Sequence, residues 1–300
     1  MKEPWDKEYQ RPDPWDTSDS KDPWDLAEGE LREPTKPPTD PKTSYLVVPR
    51  GSELWLGLIY LPLHMFLIGE LIALLAFNMA IPLTLTQLNI AYMLVGTIYL
   101  MVVLRRHLRE SFVRFLQFGS RNINTILIGW VMIFLLNILV NTLMGSFGDP
   151  MDSPNQEVIQ DIIAESMLPS ILMSVILAPI VEELLFRSLV FAPLRKINRL
   201  LAYAASCFLF AFLHIAFFIT YSLVFYGTLN IDLFLFVLPL YLPAGIVLCW
   251  AYEKSGNVWT AILLHAFWNL IATLLLLFVL PYLDLDPELI ISLHPLFAFG

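Results

Sequence analysis

Seven times between Leu54 and Leu280 the sequence holds an apolar run of about the length that crosses a bilayer as a helix. The runs are Leu54–Phe77, Leu88–Leu104, Ile126–Met144, Leu168–Leu194, Leu200–Ile219, Leu233–Tyr252 and Val258–Leu280. No other feature constrains the fold as much. Within hydrocarbon the backbone finds no water to bond, so a spanning segment closes its hydrogen bonds within itself as a helix. The expected fold class is therefore all-α, a polytopic membrane helix bundle of about seven transmembrane helices. Of 300 residues, 57% are hydrophobic, more than a soluble domain can bury. The second run is the shortest, and the sixth carries Pro239 and Pro243, which predict a kink.

Loop charges orient the bundle. The segment after the second run holds Arg105, Arg106, Arg109, Arg114 and Arg121 against Glu110. Arg195, Lys196 and Arg199 follow the fourth run, and Lys254 follows the sixth. The alternate loops are uncharged (Asn78 to Gln87) or acidic, with Asp149, Asp152, Glu157, Asp161 and Glu165 between Gly145 and Met167. The excess of cations on one side predicts an N-terminus in the cytoplasm and a C-terminus outside, in the plasma membrane. The first apolar run begins only near Leu54, so no cleavable signal peptide is expected.

Charge inside the fourth run points to chemistry. Glu182, Glu183 and Arg187 sit in a stretch otherwise almost wholly apolar. A charge at the bilayer centre costs roughly 2.5–3.5 kcal/mol, so it faces the bundle interior and finds a partner. Glu183 and Arg187 are four apart and share a helix face, which makes Glu183 the tethered acid. Glu182 lies about 100° round the helix and is left for another role. The competing reading is a charge cluster snorkelling from a helix end.

Polar residues recur at matching depth in later runs. Glu182 is about 18 Å in from Leu194, His214 about 21 Å in from Leu200, and Asn269 about 17 Å in from Val258. His265 lies about one turn nearer the cytoplasm, on the same face as Asn269. Each alone reads equally well as a helix-to-helix hydrogen-bonding residue. His64, Glu70 and Asn137 are further polar residues within the spans. Together, at one depth beside a charged pair, Glu182, His214, His265 and Asn269 read as one membrane-embedded site.

The order E-E-x-x-x-R (Glu182, Glu183, Arg187), F-x-x-x-H (Phe210, His214) and H-x-x-x-N (His265, Asn269) resembles the CAAX protease and bacteriocin-processing family of intramembrane endopeptidases. The turn Lys254-Ser255-Gly256-Asn257 is also similar, and the resemblance covers about Leu168 to Leu280. It implies a catalytic set of Glu182, Glu183, Arg187, His214, His265 and Asn269. The residue types suit peptide hydrolysis. A carboxylate in a closed cavity is a credible general base, with His214 helping to orient the water. Asn269 carries an amide N–H for the developing oxyanion, and His265 can donate beside it.

The expected function is an intramembrane endopeptidase acting on a membrane-associated peptide or protein through glutamate-activated water. No cofactor is expected. Zinc on two histidines and a glutamate is the alternative, though no H-E-x-x-H pair shares one helix. The other functional readings are a non-catalytic membrane scaffold or bacteriocin-immunity-type regulator and, less favoured, a proton-coupled transporter. Expected partners are the substrate and the lipid bilayer. Nucleic acid is excluded, since no basic patch interleaves with aromatics.

Three regions follow: a disordered acidic cytoplasmic tail at 1–50, a transmembrane bundle at 51–282 with its catalytic core at 168–280, and a short extracytoplasmic tail at 283–300. The first contains Pro-Trp-Asp three times, at Pro4-Trp5-Asp6, Pro14-Trp15-Asp16 and Pro23-Trp24-Asp25. A low-complexity linker is the favoured reading; a motif for a cytoplasmic partner of the tail is the other. Asn155 to Met167 reads as an amphipathic surface helix. Cys207 and Cys249 read as small core residues, not a disulfide or a metal pair.

Overall fold

The computed structural model describes residues 46–146, 167–223, 227–229 and 231–278. The Pro-Trp-Asp repeats, the amphipathic helix expected before Met167 and the C-terminal tail lie outside the described residues. Every regular element among the described residues is helical. Seven helices are long and apolar enough to cross a membrane, as the hydropathy pattern predicts, and the protein is an integral membrane helix bundle.

The spans are α1 (Ser52–Asn78), α2 (Leu85–Val103), α4 (Gly119–Gly145), α5 (Met167–Arg195), α6 (Arg199–Tyr221), α7 (Leu233–Ser255) and α8 (Val258–Phe278). Between α2 and α4 lies α3 (Arg105–Gln117), a helix where the charge pattern predicts a loop. Its buried residues His107, Leu108, Ser111 and Arg114 recur at helical spacing on one face. That face caps the bundle. Trp259 Nε1 donates to Leu108 O at 3.0 Å, and Arg114 Nε donates to Ser255 O at 3.3 Å. His107 Nε2 lies 2.9 Å from Ser188 Oγ on α5.

More than half of the apolar stretch of α5, α7 and α8 is buried, against about a fifth in α1, α2 and α4. The first group is hydrophobic all round and forms the centre; the second turns most of its surface outward. Small residues let the outer helices approach. A Cβ at Gly57 would lie 2.4 Å from Leu189 Cδ2, and one at Gly129 would lie 2.5 Å from Leu264 Cδ2.

Among the described residues, the helices widen to π-helical turns at His64–Ile68 in α1, Met173–Leu177 and Glu183–Phe191 in α5, and Leu233–Val237 in α7. Pro239 stands in the first turn that follows the last of these, where a missing N–H costs little, and Pro243 lies inside the α-helical part of α7.

The bundle is clamped at the end carrying the arginines. Glu253 accepts from Arg195 Nε at 2.6 Å, Arg199 Nη2 at 3.0 Å and the Tyr203 hydroxyl at 2.7 Å, joining α5, α6 and α7. Gly256 ends α7 with φ 75°, a left-handed turn that glycine enters at little cost. Asn257 Oδ1 then caps α8 through Thr260 N at 3.0 Å. Residues 46–50 belong to the tail expected from composition, yet Leu46, Val47 and Val48 are buried. Val47 N donates to Gly256 O at 3.0 Å, and the Tyr252 hydroxyl donates to Val47 O.

Candidate active site

The two α5 bulges hold the site. In Met173–Leu177 the helix bonds run five residues back, and Ala178 N donates to Met173 O. Continued in that register, the next donor would be residue 179 and its acceptor Ser174 O. Residue 179 is proline and has no N–H. Asn269 of α8 takes its place: its Nδ2 donates to Ser174 O at 2.8 Å, and both residues are buried. A sequence feature of α5, a proline one turn before the acidic pair, thus creates the acceptor that draws the α8 amide into the bundle centre.

The acidic pair divides as the helical spacing predicts. Glu183 Oε1 lies 3.1 Å from Arg187 Nη1, with both side chains fully buried. The same oxygen lies 2.9 Å from His265 Nδ1. Arg187 also donates from Nη2 to Gly245 O at 3.3 Å, and its guanidinium sits 4.4 Å from the centre of the Phe210 ring. Burial of an ion needs such a set of partners, because its lost hydration is otherwise uncompensated. Glu183 therefore ties α5 to α8, and Arg187 ties it to α6 and α7.

Glu182 stands outside this network. It is 3% exposed, and its Oε2 lies 3.9 Å from His214 Nε2 of α6. The ring is fixed from two directions. His214 Nδ1 is 2.8 Å from Phe210 O, an acceptor, so Nδ1 carries the proton. Tyr241 of α7 stacks on the ring at 4.2 Å between centroids. A neutral His214 then turns the lone pair of Nε2 toward Glu182. Two acceptors 3.9 Å apart suit a donor shared between them, and a water supplies two protons in that span.

His265 is constrained by the same logic. Donation from Nδ1 to Glu183 leaves Nε2, which has no hydrogen-bond partner among the described residues. A neutral ring presents an acceptor there, and an imidazolium presents a donor. The Asn269 amide carries two N–H groups, of which Ser174 accepts one.

All six residues of the expected catalytic set are buried at the meeting of α5, α6 and α8. Glu182 meets His214; Glu183 meets Arg187 and His265; Asn269 meets the α5 backbone. Among the described residues no three His, Cys, Asp or Glu side chains come together as a metal site. Cys207 and Cys249 are free thiols with their sulfurs 3.9 Å apart. Sequence reasoning misses Ser174 and Tyr241. Pro179 is the available signal for Ser174. Tyr241 carries none, being one aromatic among many in the apolar runs.

A family model described as type II CAAX prenyl endopeptidase Rce1-like matches residues 164–271, a range that contains all six of these residues. No curated protein and no solved structure matches the chain.

Proposed function

From the match of residues 164–271 to the Rce1-like model of CAAX prenyl endopeptidases, we propose that the chain is an intramembrane endopeptidase using glutamate-activated water. Its substrate is a membrane-associated peptide or protein, and the family description favours a prenylated C-terminus. The observation that carries the reading is the pairing of Glu182 with His214. A buried carboxylate and a ring nitrogen whose proton lies on the far side are both acceptors, 3.9 Å apart. They suit a water held with both protons engaged and its oxygen directed at a carbonyl.

In the proposed reaction the water oxygen bonds to the scissile carbonyl carbon, and its proton passes to Glu182. Asn269 steadies the oxyanion through its amide N–H, and His265, opposed by Glu183, does so beside it. Collapse breaks the C–N bond, and Glu182 returns the proton to the leaving amine. Glu183 and Arg187 position His265 without touching substrate. Two histidines and a glutamate would be the zinc ligands of the competing reading, which chelation separates from this one. The proposed orientation places the Arg-rich ends in the cytoplasm, with the protein in the plasma membrane.

The test uses purified protein, a farnesylated peptide ending in a CAAX sequence, and water enriched in oxygen-18. Mass spectrometry should find a new carboxylate with one labelled oxygen, and cleavage should survive exhaustive chelation. Absence of cleavage, or silencing by chelator with recovery on added zinc, would contradict the mechanism.

A further inference from the structure

The first two spans lie outside the segment that carries the family motifs, yet they bring a further histidine to the level of Glu182. His64 is twelve residues from Ser52, roughly 18 Å into the bundle, and Tyr92 is eleven residues from Val103, roughly 17 Å in. Glu182 lies at about the same depth by the same measure. A Cβ at Gly96 of α2 would lie 3.0 Å from His64 Cε1 and 3.2 Å from Val181 Cγ2. Gly96 is therefore a point of α2 on which the His64 imidazole and Val181, the residue preceding Glu182, both close.

The ring is held in one orientation. It stacks on Tyr92 with centroids 4.3 Å apart, and the Tyr92 hydroxyl donates to the His64 carbonyl at 3.0 Å. That carbonyl opens the π-helical stretch His64–Ile68, and such bulges concentrate at functional sites. The Tyr60 hydroxyl lies 3.3 Å from His64 Nδ1. With the Tyr60 hydroxyl donating to Nδ1, the His64 proton resides on Nε2. His64 is 1% exposed, and Nε2 has no acceptor among the described residues. A buried donor held in place without an acceptor is costly to fold around unless a ligand completes it.

We propose that His64 contacts the substrate, its Nε2–H donating to a backbone carbonyl of the peptide bound beside Glu182. The inference rests on the endopeptidase reading. It gives α1 and α2 a task in that reaction: they form the wall opposite α6 and α8 and hold the peptide across the carboxylate. Tyr60 acts through His64 by fixing its tautomer and is a positioning residue.

The test compares wild type, Glu182→Gln, His64→Gln and the double variant Tyr60→Phe with His64→Phe. The probe is an internally quenched farnesylated peptide ending in a CAAX sequence, with protein in detergent. The double variant removes the orphan donor and its partner together, so its melting temperature should stay at or above that of wild type. Its kcat/KM should fall about tenfold or more, mainly through KM, as loss of one substrate hydrogen bond requires. His64→Gln places an amide N–H near the same point and should recover part of the loss. Unchanged KM in the double variant would overturn the proposal. So would a fall in melting temperature that tracks the fall in activity without recovery by glutamine, which would make the pair a structural hydrogen bond only. If wild type fails to cleave, as Glu182→Gln should, the endopeptidase reading falls and the His64 role with it. Cleavage by wild type with an indifferent double variant sinks the His64 role alone.

Discussion

Replacing Glu183 and Glu182 in turn by glutamine separates a charge that holds the bundle from one that performs chemistry. Arg187 is among the largest fully buried side chains, and Glu183 at 3.1 Å is the carboxylate paired with it. Glu183→Gln keeps a carbonyl acceptor but removes the opposing charge. Breaking a buried pair costs roughly 3–5 kcal/mol. Arg187 retains Gly245 O at 3.3 Å and the Phe210 ring at 4.4 Å, so the lower end applies, about 3 kcal/mol. At roughly 2–4 °C per kcal/mol the melting temperature should fall by roughly 6–12 °C. Glu182→Gln disturbs only a 3.9 Å approach to His214 and should melt within roughly 3 °C of wild type. Intrinsic tryptophan fluorescence in detergent micelles reads both, with the monodisperse fraction on gel filtration as a further measure of folding. Equal losses in the two variants, or a Glu183→Gln protein that melts like wild type, would refute the division of roles.

Other consequences are open to measurement. Glu253→Gln should loosen the junction of α5, α6 and α7 by roughly 1–2 kcal/mol and lower the melting temperature by roughly 2–8 °C; a variant that melts with wild type would show the clamp to be idle. His107, on α3 outside the spans, has its pKa pushed down to about 3, first by burial and then by Arg50 and Arg106. The unfolded chain, with an ordinary histidine near 6.5, binds the proton that the folded protein refuses, so stability should fall as pH drops from about 6.5 toward 3. Between pH 7.5 and 5.5 that loss is about 1.4 kcal/mol, and His107→Gln should remove this share of the slope; identical slopes would contradict it. A reporter fused after Lys196 should read cytoplasmic and one fused between Gly145 and Met167 external; swapped readings would invert the proposed orientation.

The spans are legible in the sequence because hydrocarbon permits few structures, and a run such as Val258–Leu280 has one way to satisfy its backbone. Glu183 and Arg187 are legible for a similar reason, since a charge in an apolar run must find a partner and four-residue spacing names it. Other features need three dimensions. α3 reads as loop because its arginines dominate the composition, while its buried face of His107, Leu108, Ser111 and Arg114 is interrupted by charge. Glu253 adjoins Lys254 and passes for an ordinary loop charge, although it gathers Arg195, Arg199 and Tyr203. Tyr241 and Tyr92 cannot be told from lipid-facing aromatics, because lipid and bundle interior select the same side chains. The π-helical turns shift the register by which a residue's face is counted, so the meeting of Ser174 with Asn269 does not follow from 3.6-residue periodicity.

The central claim is that Glu182 activates the water. Single-turnover cleavage of the quenched farnesylated peptide by wild type and Glu182→Gln tests it, with peptide binding measured by fluorescence anisotropy on the same preparations. The account predicts that Glu182→Gln binds the peptide with a Kd within a few fold of wild type and cleaves it roughly 10²–10⁴-fold more slowly. Cleavage by Glu182→Gln at the wild-type rate, with binding intact, would contradict it.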